Sequence, residues 1–222
     1  MTSTATPDHD RSLTSDCVVL GAAVGVFGVA FGVGSVAAGA SIAMTCVMSL
    51  LVFTGASQFS AVSVVAAGGG MLSALAGASL LAARNAVYGL AMSRRLTGAL
   101  PTRLIAAQLT IDESTAMATA RSESASIRRA FWITGLSVYV FWNLGTLLGA
   151  VIGTAVDPAA VGLDAAFPAG FVAMVAPHLR HRSGRRAGLI GALACLVTIP
   201  FVPVGLPILC ASVGVLVGVR EP

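Results

Sequence analysis

Three short stretches of this chain set polar or ionisable side chains inside otherwise apolar sequence. The first is Phe53-Thr54-Gly55-Ala56-Ser57-Gln58-Phe59, in the middle of the uncharged run 42–66. A glycine beside small hydroxyls tends to unwind a helix, and non-helical backbone at membrane depth persists only where protein or a wet cavity lines it. Broken helices bring half-helix N-termini, with partial positive charge, up to anionic groups such as a carboxylate. On that chemistry Thr54, Gly55, Ser57 and Gln58 are candidate binding residues. The competing reading is a kinked helix whose Thr and Ser bond their own backbone. The second stretch is Arg84-Asn85 with Tyr88, inside the apolar run 71–92. A charge at the bilayer centre costs about 2.5–3.5 kcal/mol, so it turns to a cavity or a partner. Arg84 would hold a carboxylate, pair with Asp112 or Glu113, or snorkel towards the end of its span.

The third stretch is Gln108-Leu109-Thr110-Ile111-Asp112-Glu113-Ser114. Acids at membrane depth bind ammonium groups or relay protons. At an interface they would instead be solvated and paired to Arg103 or Arg121. Asp112 and Glu113 point about 100° apart on a helix, so one of them at most faces a given pocket. A fourth piece, Phe167-Pro168-Ala169-Gly170-Phe171, is apolar and broken by proline. It would face the 53–59 break across a pseudo-symmetric interface, as in inverted-repeat transporters. Hydrolytic chemistry finds no support. Ser57 has no histidine at its depth, since His178 and His181 lie in an Arg-rich loop and His9 in the N-terminal tail, and a Ser–His pair needs hydrogen-bond contact. There is no HExxH, P-loop or strand-flanked GxGxxG pattern. The chain therefore reads as a non-enzyme with no metal site and no cofactor.

The elements that must position these residues follow from composition. Hydrophobic residues make up 56% and charged residues 10% of the 222, where a soluble domain carries about 25% charged. Mean hydropathy is +0.91. So few polar residues cannot coat a globule, and most of the outer surface must face lipid. Aromatics are only 6% and glycines number 25, a mixture that suits helices packed closely through small residues. The fold expected is all-α, a polytopic integral membrane helix bundle with broken or re-entrant helices. Residues 1–17 read as a polar, disordered cytoplasmic tail and 18–222 as the transmembrane domain. The apolar run 18–38 exceeds the roughly 7–15 residues of a signal-peptide core, which favours an uncleaved first span. Further apolar pieces are 42–66, 71–92, 104–120, 130–155, 165–177, 187–202 and 206–219. GxxxG spacings at Gly21/Gly25, Gly28/Gly32, Gly145/Gly149, Gly149/Gly153 and Gly214/Gly218 favour close helix contacts.

The formal charge of +4 comes from thirteen arginines, with no lysine, against nine acids. They group in short segments: Arg94, Arg95 and Arg103; Arg121, Arg128 and Arg129; Arg180, Arg182, Arg185 and Arg186. That is the positive-inside distribution of cytoplasmic loops, and nucleic-acid binding is a poor reading. With 121–129 and 178–186 inside, the loop 156–164 with Asp157 and Asp164 falls outside. If 18–38, 42–66 and 71–92 all crossed, however, the N-terminus and the 93–103 loop would lie on opposite sides although both carry Arg. One element therefore does not cross fully: the interrupted 42–66, as a re-entrant pair of half-helices, or else 104–120. The N-terminus is placed inside. Cys17, Cys46, Cys195 and Cys210 show no CxxC pairing and read as small buried hydrophobes.

These stretches, in this order, resemble the AzlC-type branched-chain amino acid permeases, the large subunit of a two-part exporter. The matching segments are 50–59, then Ala83-Arg84-Asn85 running into Tyr88-Gly89-Leu90-Ala91, Thr110 to Ser114, and Leu163 to Ala169 with the Arg-rich loop after it. The resemblance implies export of hydrophobic amino acids (Leu, Ile, Val, sometimes Met) driven by the proton gradient, across a bacterial plasma membrane. It also implies a small membrane partner of the AzlD type, encoded separately. The family often shows a His after the arginine of its third span; here Asn85 stands there, which leaves proton coupling to Asp112 or Glu113. In that frame Thr54 to Gln58, Arg84, Asn85 and Tyr88 would form the pocket for the amino acid. A non-transporting membrane scaffold and a passive channel for a small solute are the alternatives.

Overall fold

The computed structural model describes residues 7–155, 172, 175, 176 and 178–218, and among these all regular structure is helical. In chain order the helices are α1 (Pro7–Ala37), α2 (Ile42–Leu51), α3 (Ala56–Ala66), α4 (Met71–Ser93), α5 (Leu100–Gln108), α6 (Asp112–Thr119) and α7 (Ser124–Gly153). They continue, after a 3-10 turn at His178–Arg180, with α8 (Arg182–Thr198), α9 (Leu206–Ala211) and α10 (Val213–Gly218). The runs expected at 42–66 and 104–120 are each divided into two short helices, α2/α3 and α5/α6. The outer loop 156–164 and the proline-broken piece 167–171 lie outside the described residues. Segments Arg11–Ala37 and Ser124–Gly153 are long and apolar enough to cross a membrane.

Helix α1 starts well before the apolar run that was expected to open it. Proline fixes a φ that suits the first helical position, so Pro7 can begin the helix. The segment expected as a disordered tail is thus helical from Pro7 onwards, and Leu13 and Cys17 bury there against Ala130 of α7. The contact between α1 and α7 runs the length of both helices. At one end Arg129 donates to Thr14 Oγ1 at 3.3 Å. Farther along, a Cβ added to Gly21 would lie 2.6 Å from Ser137 Cβ, and one on Gly28 2.5 Å from the Trp142 carbonyl oxygen. At the far end a Cβ added to Gly153 would lie 3.1 Å from Val33 Cα. Residue numbers rise together, so α1 and α7 are parallel. The start of α1 and the arginines at 121–129 therefore share one end of the bundle.

The short helices are arranged around this pair. Two fully buried hydroxyl contacts tie α2 to the frame: Ser35 with Thr45 at 2.8 Å and Ser49 with Thr146 at 3.1 Å. Helix α4 runs antiparallel to α3, with Ser60 beside Gly77 and Thr54 beside Arg84. Phe31, Phe59 and Trp142 meet at the centre with ring centroids 5.8–6.0 Å apart. The α8–α10 unit folds on itself through Gly191 and Ala211, and touches the rest where Val204 and Gly205 meet Val64, Gly69 and Ser73.

Gly28→Ala is expected to lower the unfolding temperature of the detergent-solubilised protein, because the added methyl meets backbone rather than a yielding side chain. Overpacking of this kind costs about 1–3 kcal/mol. Gly89→Ala, where nothing lies within 4 Å, should leave the temperature unchanged or raise it. Equal effects of the two would show that the α1–α7 contact is not tight.

Candidate functional site

Two helix breaks face each other in the interior. The first, Val52 to Gly55, separates α2 from α3, and Gly55 adopts φ +60° and ψ −87°, a conformation that side chains disfavour. The second, Leu109 to Ile111, separates α5 from α6. Each break strands backbone groups that a continuous helix would pair. Both are closed by the same local device. The residue three past the break, at the third position of the second half-helix, accepts from the backbone N–H that precedes the helix. It then donates back to a carbonyl farther up the chain, before the break or at its first residue. Gln58 accepts from Gly55 N at 3.2 Å and donates to Met48 O at 3.4 Å. Ser114 accepts from Ile111 N at 3.1 Å and donates to Leu109 O at 2.7 Å. This is the reach-back half of a capping box, used twice.

Arg84 joins the two breaks. From the middle of α4 its guanidinium pairs with Asp112 at 2.6 Å, in the first turn of α6. It also reaches the Thr54 carbonyl at 3.5 Å. The pairing of Arg84 with Asp112, one of the uses open to that arginine from the sequence, is thus present. Asp112 gains further from the positive end of α6. Glu113 lies half-buried in the same turn and pairs with no described residue.

The remaining candidates divide between roles. Thr54 Oγ1 turns back on its own segment, donating to Val52 O at 3.4 Å, so its carbonyl, not its hydroxyl, serves the site. Gln58 is fully buried and both ends of its amide are taken by backbone. Ser57 is buried with its hydroxyl unpartnered. It sits one turn before Ser60, whose hydroxyl faces Gly77 of α4, and the i, i+3 spacing puts it on the same side. Its place is therefore the α3–α4 seam, nearer to Arg84. Asn85 is half-buried with an unpartnered side-chain oxygen. Tyr88 follows Arg84 by one helical turn and is half-buried.

Three residues at the breaks escaped the sequence reading as site residues. Gln108 donates to the carbonyls of Leu50 at 3.0 Å and Leu51 at 3.4 Å. The Tyr139 hydroxyl donates to the same Leu50 carbonyl at 3.2 Å. Trp142 brings the tip of its ring near Gly55, and its indole nitrogen is buried and unpartnered. The available signal was a hydrogen-bond donor placed in the middle of an apolar segment.

A bundle helical throughout its described residues, with two helices fit to cross a membrane and two breaks around a partly buried cation–anion pair, has the features of a membrane transport protein. A family model described as AzlC protein matches residues 19–156, which hold most of α1, all of α2 to α7 and with them the whole site. The chain belongs to the AzlC family, a family of transporters and not of enzymes. No curated protein and no solved structure matches it.

Gln58→Leu keeps volume but strands Gly55 N and leaves Met48 O with the Val52 N–H alone. It should destabilise the detergent-solubilised protein by about 2 kcal/mol, the scale for orphaned buried groups. For the ion pair, Arg84→Gln and Asp112→Asn should each destabilise more than half as much as the double variant, because a lone charge in the interior is worse than none. Strict additivity in that cycle would mean the two side chains do not interact.

Proposed function

We propose that this chain is the large subunit of an exporter for branched-chain and other hydrophobic amino acids (Leu, Ile, Val, and Met), driven by the proton gradient across a bacterial plasma membrane. The observation that carries this reading is Arg84 bridging two facing helix breaks while paired to Asp112. An amino acid is itself a cation–anion pair. Its carboxylate can replace Asp112 on the Arg84 guanidinium, with Ser57 and the free N–H groups opening α3 close by. Its ammonium can then take the released Asp112, or Glu113 beside it. The ion pair is about a third open, 30% for Arg84 and 31% for Asp112. Charges do not face hydrocarbon at that cost, so the open side is water-filled or covered by a partner. Release of Asp112 from Arg84 also gives a proton somewhere to bind, which is the coupling step in this reading. A small subunit of the AzlD type is the partner that the family membership suggests.

The proposed topology has α1, α4 and α7 crossing, with the two broken pairs as re-entrant hairpins from opposite sides. Gln58 in α3 reaching Met48 in α2 supports a reversal at 52–55, as does Phe59 returning to the level of Phe31 and Trp142. This arrangement puts Arg11, Arg94, Arg95, Arg103, Arg121, Arg128 and Arg129 on one side, the cytoplasm by the positive-inside rule. It removes the conflict that full crossing by 42–66 creates.

Cells fed Leu-, Ile- or Met-containing dipeptides should release the amino acid faster with this chain and its small partner than with either alone. Release should saturate, collapse with a protonophore, and fall by at least about tenfold in Arg84→Ala, the loss of one charge-assisted contact. Unchanged release across these amino acids, with both chains in the membrane, would sink the substrate class. For topology, single cysteines at Ala40 and Thr97 should react with an impermeant thiol reagent from opposite sides. Reaction from the same side would mean that the broken pairs cross.

A further inference from the structure

Gln108 and Tyr139 come from different helices, α5 and α7, yet converge on one backbone oxygen, Leu50 O, at 3.0 and 3.2 Å. Gln108 reaches Leu51 O as well, while Met48 O takes the Gln58 amide and the Val52 N–H. A carbonyl oxygen has two lone pairs, so Leu50 O is filled. The last turn of α2 would otherwise present these carbonyls, and the negative end of the helix dipole, at a surface where Leu50 and Leu51 are exposed and lipid offers no donor. Side chains from α3, α5 and α7 supply the donors instead. Gln108 is the last residue of α5, immediately before the second break. Its bond to α2 is thus a direct tie between the two breaks, beside the one that Arg84 makes.

We infer that Gln108 and Tyr139 are positioning residues that hold the 52–55 break against the 109–111 break at the spacing Arg84 spans. This rests on the transport reading of the same site and adds to it. With Met48 O and Leu50 O filled and Leu51 O already bonded, the end of α2 is a poor acceptor for a cargo ammonium. The ammonium is confined to the Asp112 and Glu113 side, opposite the carboxylate on Arg84, and the cargo has one orientation. Neither residue touches the cargo. Losing either lets the breaks drift apart, which lowers the fraction of molecules able to complete the cycle and leaves the contacts to bound cargo unchanged.

The test uses the full chain with Cys17, Cys46, Cys195 and Cys210 replaced by serine and spin labels on Val52→Cys and Ala107→Cys. Distances are read by pulsed electron resonance, and transport is read with the small partner present. Gln108→Leu should broaden the distance distribution. It should also lower the maximum transport rate about tenfold with KM within about twofold, the scale of leaving Leu51 O without a donor and Leu50 O with one. Gln108→Met keeps the length but cannot donate, and should behave alike. Tyr139→Phe should cost about threefold, the scale of one interhelical hydrogen bond in a membrane. Should Gln108→Leu fail to accumulate, Tyr139→Phe, which removes a single hydroxyl, carries the same two readouts. A distribution unchanged in all folded variants overturns the inference, whatever transport does. So does a broadened distribution with an unchanged maximum rate, or a raised KM at constant maximum rate, which would make these residues cargo ligands. If the parent moves no amino acid, the transport reading fails while the distances still decide whether the breaks are tied.

Discussion

A backbone that leaves the helix inside an apolar bundle must find partners for its polar groups within the protein, because lipid offers none. This chain does so twice, at 52–55 and 109–111, and much of the polar interior can be traced to that need. Gln58 and Ser114 close their own breaks locally. Gln108, Tyr139 and Arg84 close the first break from a distance, drawing α5, α7 and α4 to it. Gln108 and Tyr139 capture carbonyls at the end of α2, and Arg84 captures one within the break. The site is built at the place where the backbone demands partners, and the same demand fixes which helices surround it.

Much of this could be read from residue types. A glycine flanked by Thr and Ser in an uncharged run signalled the break at 52–55, and the structure places it there, with Gly55 at positive φ. The ion pair was legible as one of three uses for Arg84, because an arginine within an apolar span must find an acid or a wet surface. What sequence could not give was the choice among those uses, which depends on α6 starting beside the middle of α4. The second break was less visible. Leu109, Thr110 and Ile111 carry no glycine or proline, and their departure from helix is held by Ser114 and by the Thr110 hydroxyl bonding Ala106 O at 2.7 Å. The counterpart conjectured for 53–59, at 167–171, lies outside the described residues. The break that 53–59 faces among the described residues is 109–111.

Gln58 shows a different limit. In sequence, a glutamine beside a helix break looks like a ligand, since it has a donor and an acceptor and no other evident task. In the folded chain both are spent on backbone at 3.2 and 3.4 Å. The same residue type at 108 does similar work across helices. Spacing distinguishes neither case, because what a buried amide bonds to is set by which carbonyls the fold leaves open. The parallel pairing of α1 with α7 was likewise hidden: GxxxG spacings indicate a close contact but say nothing of direction.

The two kinds of contact divide the bundle into parts of unequal stiffness. Where Gly21, Gly28 and Gly153 let α1 and α7 meet at backbone distance, close packing lets neither helix slide without a clash, and packed interiors of this kind deform little. The breaks are held otherwise, by single hydrogen bonds and one ion pair. A membrane hydrogen bond is worth about 0.6 kcal/mol on average, and a half-open ion pair is also modest. A handful of such contacts lies within the binding energy of a small zwitterion. A carrier of the kind proposed needs a frame that cargo cannot distort and a gate that cargo can. Here the glycine-lined pair meets the first condition and the hydrogen-bonded breaks meet the second. The physical division between them falls between the long helices and the broken ones.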